Sequence, residues 1–343
     1  MREYKYGIIS DIHAADPRLV YTALDTFKKR KVDAVILNGD VLGNRYRGPD
    51  LKPEEYLHFI LHVANELGLE TYVQPGSHEP FSWLHNLIKA LKDKYNIHYT
   101  VDEKALEAGN HKLIFLPGSD WAPGNIAGYR IHDREPTGVV KYVTGGGMAY
   151  YLYNTNPNDL RRLIEDPQNT ILVSHIPRRF STENAVDVAH FIEKLIVDLR
   201  VYNKPLVQTR GVAPLETYQP QPGVPFIKHN SSLSDEELRE IILETAKRYS
   251  KNRDVIAIDV ERITNRGNET LAKILEEEGV TKGISGHFHN SVWNAHDAAG
   301  EYIPPKKPTS ELFWNASLMD EGKFCILHVL DGEVYYTNLE IKG

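Results

Sequence analysis

The chain has 343 residues, a formal net charge of -7 and one cysteine, with 41% hydrophobic and 25% charged residues. This composition is typical of a globular protein that buries a sizeable core. The acidic balance argues against binding along a nucleic-acid backbone, and a single cysteine excludes an internal disulfide. No run is long enough to span a membrane, and the charged start is not a signal peptide, so we expect a cytoplasmic protein.

The first third of the chain alternates short apolar runs with segments of helical periodicity. Strands are predicted at 4–10, 34–37, 71–73 and 112–116, and helices from Pro17, at 53–67 and at 81–94. Apolar positions at helical spacing, such as Val20, Leu24 and Phe27, support the first helix. This alternation predicts right-handed crossovers and a mainly parallel sheet.

Residues 119–156 interrupt this pattern. The stretch is rich in aromatic residues, contains Gly145-Gly146-Gly147 and shows no clear periodicity. It predicts a flexible loop, and a lid is one open interpretation of it. The triple glycine lacks the Lys-Ser/Thr ending of a phosphate loop.

A second interruption lies at about 180–262, within a gap of about 110 residues that is long for one crossover. We predict a helix near 185–199, a proline-rich stretch at 205–225 and a helix at 234–249. Ser234 and Glu237 form a capping box for the last of these. The segment predicts a helical insertion, either a cap over a site or an interaction surface. The whole chain, 1–343, is predicted as one domain that carries these two insertions.

The end of the chain predicts a β-hairpin. Its strands are expected at 324–329 and 334–338, on either side of Asp331-Gly332. An Asp-Gly pair between alternating apolar residues favours a tight turn.

Five short motifs follow apolar runs that read as strands. They are Asp11-Ile12-His13, Gly39-Asp40, Gly76-Ser77-His78-Glu79, Ser174-His175-Ile176-Pro177 and Gly286-His287-Phe288-His289. Strand ends deliver side chains to one edge of a sheet, where open α/β folds bind ligands. Imidazole and carboxylate suit Mn, Fe or Zn, and two such ions can clamp an in-line displacement at phosphorus.

In this order the motifs resemble the calcineurin-like metallophosphoesterase superfamily, except that Ser77 stands where the family has Asn. The resemblance implies an αββα sandwich, in which two mixed β-sheets are flanked by helices. It also implies two divalent metal ions, with Mn favoured and Fe, Zn or Ni as alternatives.

The resemblance further implies a role for each motif residue. One metal would be held by Asp11, His13, Asp40 and His289, and the other by Asp40, Ser77, His175 and His287. His78 would face the scissile phosphate as general acid or electrostatic partner, with metal-bound hydroxide as nucleophile.

Three further residues are candidates for substrate contact. Arg178 and Arg179 follow His175 closely enough to reach a phosphate, although a solvated basic pair is an equal alternative. Asn44 follows Gly39-Asp40, and its alternative is a turn residue.

The function expected is a metal-dependent phosphoric-ester hydrolase acting on a small or medium phosphoester. One alternative is a DNA or RNA nuclease of the same superfamily, which the acidic balance does not favour. The other is a non-catalytic metal-binding scaffold, for which Ser77 is the single supporting feature. The sequence specifies neither the substrate nor the oligomeric state.

Overall fold

The computed structural model describes residues 2–42, 52–79, 81–119, 126, 128–131, 139–143, 149–182, 184–200, 206–214, 218–228, 234–250 and 254–342. The helices in this part are α1 Pro17–Arg30, α2 Pro53–Glu66, α3 Phe81–Leu91, α4 Pro157–Leu163, α5 Asp235–Tyr249 and α6 Glu269–Glu278. The strands are β1 Tyr4–Ile9, β2 Ala34–Asn38, β3 Thr71–Gln74, β4 Ile97–Tyr99, β5 Ala105–Ala108, β6 His111–Leu116, β7 Gly128–Ile131, β8 Val139–Val143, β9 Ala149–Asn154, β10 Thr170–Ser174, β11 Val188–Asp198, β12 Leu206–Pro214, β13 Phe226–Ile227, β14 Val255–Asn265, β15 Lys282–Ser285, β16 Ala295–His296, β17 Leu312–Asn315, β18 Lys323–Leu330 and β19 Glu333–Glu340.

Two six-stranded mixed sheets form the body of the protein. The first has the order β19-β18-β1-β2-β3-β4, and the second has the order β16-β17-β15-β10-β6-β5. In the first sheet β1 to β4 are parallel, and β18 and β19 add antiparallel strands at one edge. In the second sheet β6, β10, β15 and β17 are parallel. The predicted α/β fold with two mixed sheets and flanking helices is confirmed.

Alternate side chains of the first sheet enter different cores. Tyr6, Ile8 and Ile36 point towards the second sheet, where they join Phe115 and Trp314 in one buried cluster. Residues on the opposite face pack against the apolar faces of α1, α2 and α3 in a second cluster. Because β1 and β2 are covered on both faces, they appear in the sequence as continuous apolar runs.

The second compact unit, Val188–Asn265, is a four-stranded sheet of order β12-β11-β14-β13 together with α5. Leu195, Val197 and Ile258 pack with Leu238 and Ile242 of α5 in its core. The rest of the chain, Met1–Asp187 with Arg266–Gly343, forms the other compact unit.

The helix predicted near 185–199 is wrong, because this segment is β11, paired along its length with β14. Buried Val188, Ile192 and Leu195 have the i, i+4, i+7 spacing of a helix. In the strand, Ile192 and Leu195 lie on opposite faces, and both faces bury apolar side chains. The helical spacing therefore results from burial on both faces of the strand. The β-branched residues of this segment were the better indication of a strand. In its described residues, the insertion predicted as helical contains more strand, β11 to β14, than helix, α5.

The loop predicted at 119–156 is also wrong for part of its length. Strands β7, β9 and β8 form a three-stranded antiparallel sheet. Val139-Val140-Lys141-Tyr142-Val143 and Ala149-Tyr150-Tyr151-Leu152-Tyr153 are rich in β-branched and aromatic residues, which favour strands. The glycines at 145–147 lie outside the described residues.

The C-terminal hairpin is confirmed: β18 and β19 pair antiparallel from Lys323↔Glu340 to Leu330↔Glu333. Asp331 and Gly332 connect them with φ of 55° and 83°, the two positive values that a type I′ turn requires. In the part of the chain described above, no helix has the length and apolar composition needed to cross a bilayer.

Candidate metal centre

The motif residues lie directly after the carboxyl ends of five parallel strands. Asp11 and His13 follow β1, Asp40 follows β2, and Ser77 and His78 follow β3, all in the first sheet. His175 follows β10, and His287 and His289 follow β15, in the second sheet. Both sheets therefore deliver side chains to the same cluster.

Several of these residues have a left-handed backbone. The φ angles of Asp11, His13, Asp40 and His287 are 50°, 45°, 51° and 70°. Non-glycine residues seldom adopt this conformation, and such strain concentrates at functional sites. These positive φ values occur after β1, β2 and β15, three of the five strands that supply the cluster.

The first ligand group contains Asp11, His13 and His289. The Nε2 atoms of His13 and His289 are 3.1 Å apart, and Asp11 Oδ1 lies 3.8 Å from the first and 3.5 Å from the second. Asp11 is 1% exposed and accepts hydrogen bonds from the Ser10 hydroxyl (2.7 Å) and the His287 backbone N–H (3.0 Å). These contacts fix the orientation of its carboxylate.

The second ligand group contains Asp40, His175 and His287. His175 Nε2 is 3.1 Å from Asp40 Oδ2, and the ring centroids of His175 and His287 are 5.0 Å apart. The Nδ1 atom of His175 lies 2.9 Å from the Asn38 carbonyl oxygen. If Nδ1 donates this hydrogen bond, Nε2 is left as the lone-pair atom for a metal.

Asp40 connects the two groups. It also lies in a third group with His13 and His78, and its Oδ2 is 3.5 Å from His78 Nε2. Its Oδ1 accepts hydrogen bonds from the backbone N–H groups of Ser77 (2.5 Å) and His78 (2.8 Å). The Ser77 hydroxyl donates to Asp40 Oδ2 at 2.7 Å, so Ser77 contacts the carboxylate placed between the groups.

The electrostatics of the cluster follow from buried opposite charges. Burial alone would raise the pKa of Asp40, but His175, His78 and His13 hold it well below its usual value. Burial would lower the pKa of His175, and the adjacent Asp40 carboxylate instead raises it to about 10. Burial, together with the neighbouring His175, lowers the pKa of His287 to about 4.

These residues fit a pair of divalent cations. The buried Nε2 of His175 has no hydrogen-bond partner with good geometry, and the Nε2 atoms of His13 and His289 face each other. Within each group the donor atoms lie within 4.8 Å of one another. Imidazole nitrogen with carboxylate oxygen is a donor set for Mn, Fe or Zn, and it does not distinguish among them.

Glu79 is a functional residue to which the sequence assigned no role, although it ends a recognised motif. Its Oε2 accepts hydrogen bonds from the backbone N–H groups of Gly76 (2.8 Å) and Asp40 (3.1 Å), and its Oε1 accepts one from Leu42 (3.0 Å). It is 1% exposed, and burial together with Asp40 raises its pKa to about 7. Glu79 therefore clamps the loop after β2 to the loop after β3.

Gly76 belongs to the same junction, because a Cβ atom there would collide with Asp40. Asn38 and Ser10, which hold His175 and Asp11, were also missed. Each residue immediately precedes a motif, and only this position in the sequence could have indicated its role.

We expect Glu79→Ala to destabilise the protein by about 3–5 kcal/mol, because three buried N–H groups lose their acceptor. Metal affinity should fall as well, although Glu79 lies outside the ligand groups. Glu79→Gln keeps the shape and one acceptor oxygen, so its loss should be smaller. Denaturant unfolding of the metal-free variants tests this, and equal stability of Glu79→Ala and the wild type would contradict the clamp.

The candidates for substrate contact occupy different environments. The Arg178 guanidinium is buried 4.6 Å from the Phe180 ring centre and 5.0 Å from that of Phe313, and it pairs with Glu276. Arg179 is 40% exposed, and its Nη1 lies 3.3 Å from Glu269 Oε1. Asn44 lies outside the described residues.

Comparison with known proteins gives a family match and several similar solved structures. Residues 4–202 match the family model described as calcineurin-like phosphoesterase. No curated protein matches the chain.

Among solved structures, a protein of Thermus thermophilus is similar at 10% identity and a TM-score of 0.45, over 98% of this chain and 99% of that one. A dimetal phosphatase of Danio rerio is similar at 11% identity and a TM-score of 0.42, over 99% of each chain. The family match covers more than half of the chain, which therefore belongs to the calcineurin-like phosphoesterase family.

Proposed function

We propose that the protein is a metal-dependent phosphoric-ester hydrolase that works with two adjacent divalent cations. The observation that carries the proposal is the convergence of Asp11, Asp40 and five histidines, His78 included, from five strand ends. Asp11, His13, Asp40 and His289 would hold one cation. Asp40, His175 and His287 would hold the other, with Ser77 beside them.

When bound, the two cations supply Lewis acidity at the phosphoryl oxygens and lower the pKa of water. The protein's own contribution is to hold the ligands in place and to set their charge. Asn38 orients His175, Ser10 orients Asp11, and Glu79 fixes the loop that carries Asp40. These outer contacts keep the ligand atoms together at the edges of both sheets.

His78 is the proposed acid or electrostatic partner at the phosphate. Its side chain is 20% exposed, and its ring lies 5.1 Å from that of His13. It is therefore beside the ligand groups and open to an incoming substrate. Arg178 is engaged with two aromatic rings and an acidic residue, so we do not include it among the substrate contacts.

The proposed activity is tested with protein purified without chelator. Bound metal is quantified, and hydrolysis of aryl phosphate monoesters and diesters is measured with and without added Mn²⁺. We expect metal-dependent turnover, and a His287→Ala/His289→Ala double variant serves as the inactive control. Absence of turnover with every divalent ion tested would exclude the proposal for these ester classes.

We expect His78→Ala to retain its metal and to lose at least about tenfold in turnover, the usual scale for one acid-base group. His62→Ala, at an exposed position of α2, is the matched histidine control and should retain full activity. Metal content and turnover are measured on the same samples. A parallel loss of metal would show that His78 is a ligand of the group it shares with His13 and Asp40.

A further inference from the structure

A surface cavity lies far from the candidate metal centre, on the outer face of the first sheet. It has a volume of about 430 Å³ and is lined by Lys5, Arg30, Pro305, Lys306, Ile326, His328, Thr337, Asn338 and Leu339. Lys5 is near the start of β1 and Asp11 follows the end of that strand. Six residues of extended chain therefore separate the two sites by roughly 20 Å.

Positive charge converges on this cavity from three separate parts of the chain. Lys5 comes from β1, Arg30 is the last residue of α1, and Lys306 comes from the loop before β17. This contrasts with the overall net charge of -7. Burial lowers the pKa of His328, Glu3 opposes this through its hydrogen bond and charge, and Lys5 and Arg30 lower the pKa further.

Little negative charge balances these cations. Glu3 Oε2 lies 3.0 Å from Lys5 Nζ, and Glu3 Oε1 lies 3.0 Å from His328 Nδ1. Among the described residues, no carboxylate forms an ion pair with Arg30 or Lys306 within 4.0 Å. Within the described part of the chain, Glu3 is thus the acidic partner at this cavity, and it contacts Lys5 and His328.

The protein holds the walls of this cavity in place. Lys306 has a left-handed backbone with φ of 65°, and its N–H donates to the Tyr336 carbonyl at 2.9 Å. The His328 ring stacks on Tyr335 with centroids 4.2 Å apart, and its Nε2 lies 3.3 Å from the Thr337 hydroxyl.

We propose that this cavity binds a small organic anion with two or more negative charges, independently of the proposed hydrolase activity. Lys306 and Arg30 would bind the charged groups of the ligand, since Arg and Lys side chains bind carboxylate and phosphate groups. Pro305, Ile326 and Leu339 offer an apolar wall to the organic part, and the volume lies within the range of small-molecule sites. Phosphate and carboxylate ligands share this chemistry, and the experiment separates them.

The test is isothermal titration of the whole protein after metal removal, so that metal ions at the other site cannot recruit phosphate. The probes are ADP, inorganic pyrophosphate and citrate at low and high salt. We expect one-to-one binding of at least one of them, weakened by salt because the cations are partly exposed. Preference for ADP over pyrophosphate would show that the apolar wall contributes, and preference for citrate would identify a carboxylate ligand.

Arg30→Gln and Lys306→Gln should each weaken this binding by about fivefold or more. Lys307→Gln is the matched control, because Lys307 is the neighbouring exposed lysine and does not line the cavity. Thermal unfolding checks that the variants are folded. The proposal is overturned if no probe binds with a dissociation constant below 1 mM, which corresponds to a binding free energy of about -4 kcal/mol. It is equally overturned if all three variants weaken binding alike, or if an oligonucleotide binds and the small anions do not.

Discussion

Asp40→Ala is expected to leave the protein without either metal ion and without measurable hydrolysis. Asp40 belongs to two of the groups of possible ligands: its Oδ2 lies 3.1 Å from His175 Nε2, and it shares a second group with His13 and His78. Two neighbouring dications need an anionic ligand between them to offset their repulsion. Metal analysis after equilibration with excess Mn²⁺ is the direct measurement.

The same substitution should also destabilise the metal-free fold, which separates the two roles of Asp40. Its carboxylate accepts the backbone N–H groups of Ser77 and His78, and a buried N–H without an acceptor costs about 1–3 kcal/mol. Asp40→Asn is the matched control, since its amide oxygen can still accept from the loop. We expect both variants to lose metal and only Asp40→Ala to lose several degrees in melting temperature.

Retention of one full equivalent of tightly bound metal in Asp40→Asn would contradict the bridging position. In that case the Asp11, His13 and His289 group would form a complete site without Asp40. Loss of metal together with an unfolded far-UV spectrum in both variants would show instead that Asp40 is required for folding. The loss of metal would then give no evidence that Asp40 bridges the two ions.

The clustering of the candidate ligands could be predicted because strand ends carry both a structural and a chemical signal. Continuous apolar runs such as that of β2 indicate parallel strands covered on both faces, and the polar residue that follows has to emerge at the sheet edge. Asp40 and His175 satisfy this rule in different sheets. The order of the motifs along the chain is therefore enough to identify the candidate ligands, because the fold places the ends of these strands side by side.

The supporting contacts could not be predicted in the same way. Glu79 reaches back to the backbone of Asp40 and Leu42, across a sequence distance of nearly 40 residues. Such a contact leaves no periodic pattern, because it depends on where two loops happen to meet. The misassigned strand β11 has a related cause, since its apolar spacing reflects burial of side chains on both faces of the strand.

Ser77→Asn is expected to convert an unequal pair of metal sites into a more equal one. Four residues are proposed for the first site, Asp11, His13, Asp40 and His289. The second has Asp40, His175 and His287, and its remaining position is Ser77. A Ser hydroxyl is one atom shorter than an Asn carbonyl oxygen and is a weaker neutral ligand.

The structure gives a further reason for the inequality. The Ser77 hydroxyl donates to Asp40 Oδ2 at 2.7 Å, the same oxygen that lies 3.1 Å from His175 Nε2. This hydrogen bond withdraws electron density from the carboxylate that the second site shares. We therefore expect titration of Mn²⁺ into metal-free wild-type protein to show two binding steps, whose dissociation constants differ by at least about tenfold, or 1.4 kcal/mol.

Ser77→Ala is the control that identifies what the hydroxyl does. If the hydroxyl only donates to Asp40, its removal should leave the weaker step unchanged or slightly tighter. If the hydroxyl is itself a ligand, the weaker step should become weaker still. Ser77→Asn should tighten the weaker step by about tenfold and leave the tighter step as it is, because its amide oxygen extends towards His175 and His287. Two equally tight steps in the wild type, unchanged by Ser77→Asn, would show that this position does not set the difference between the two metal sites.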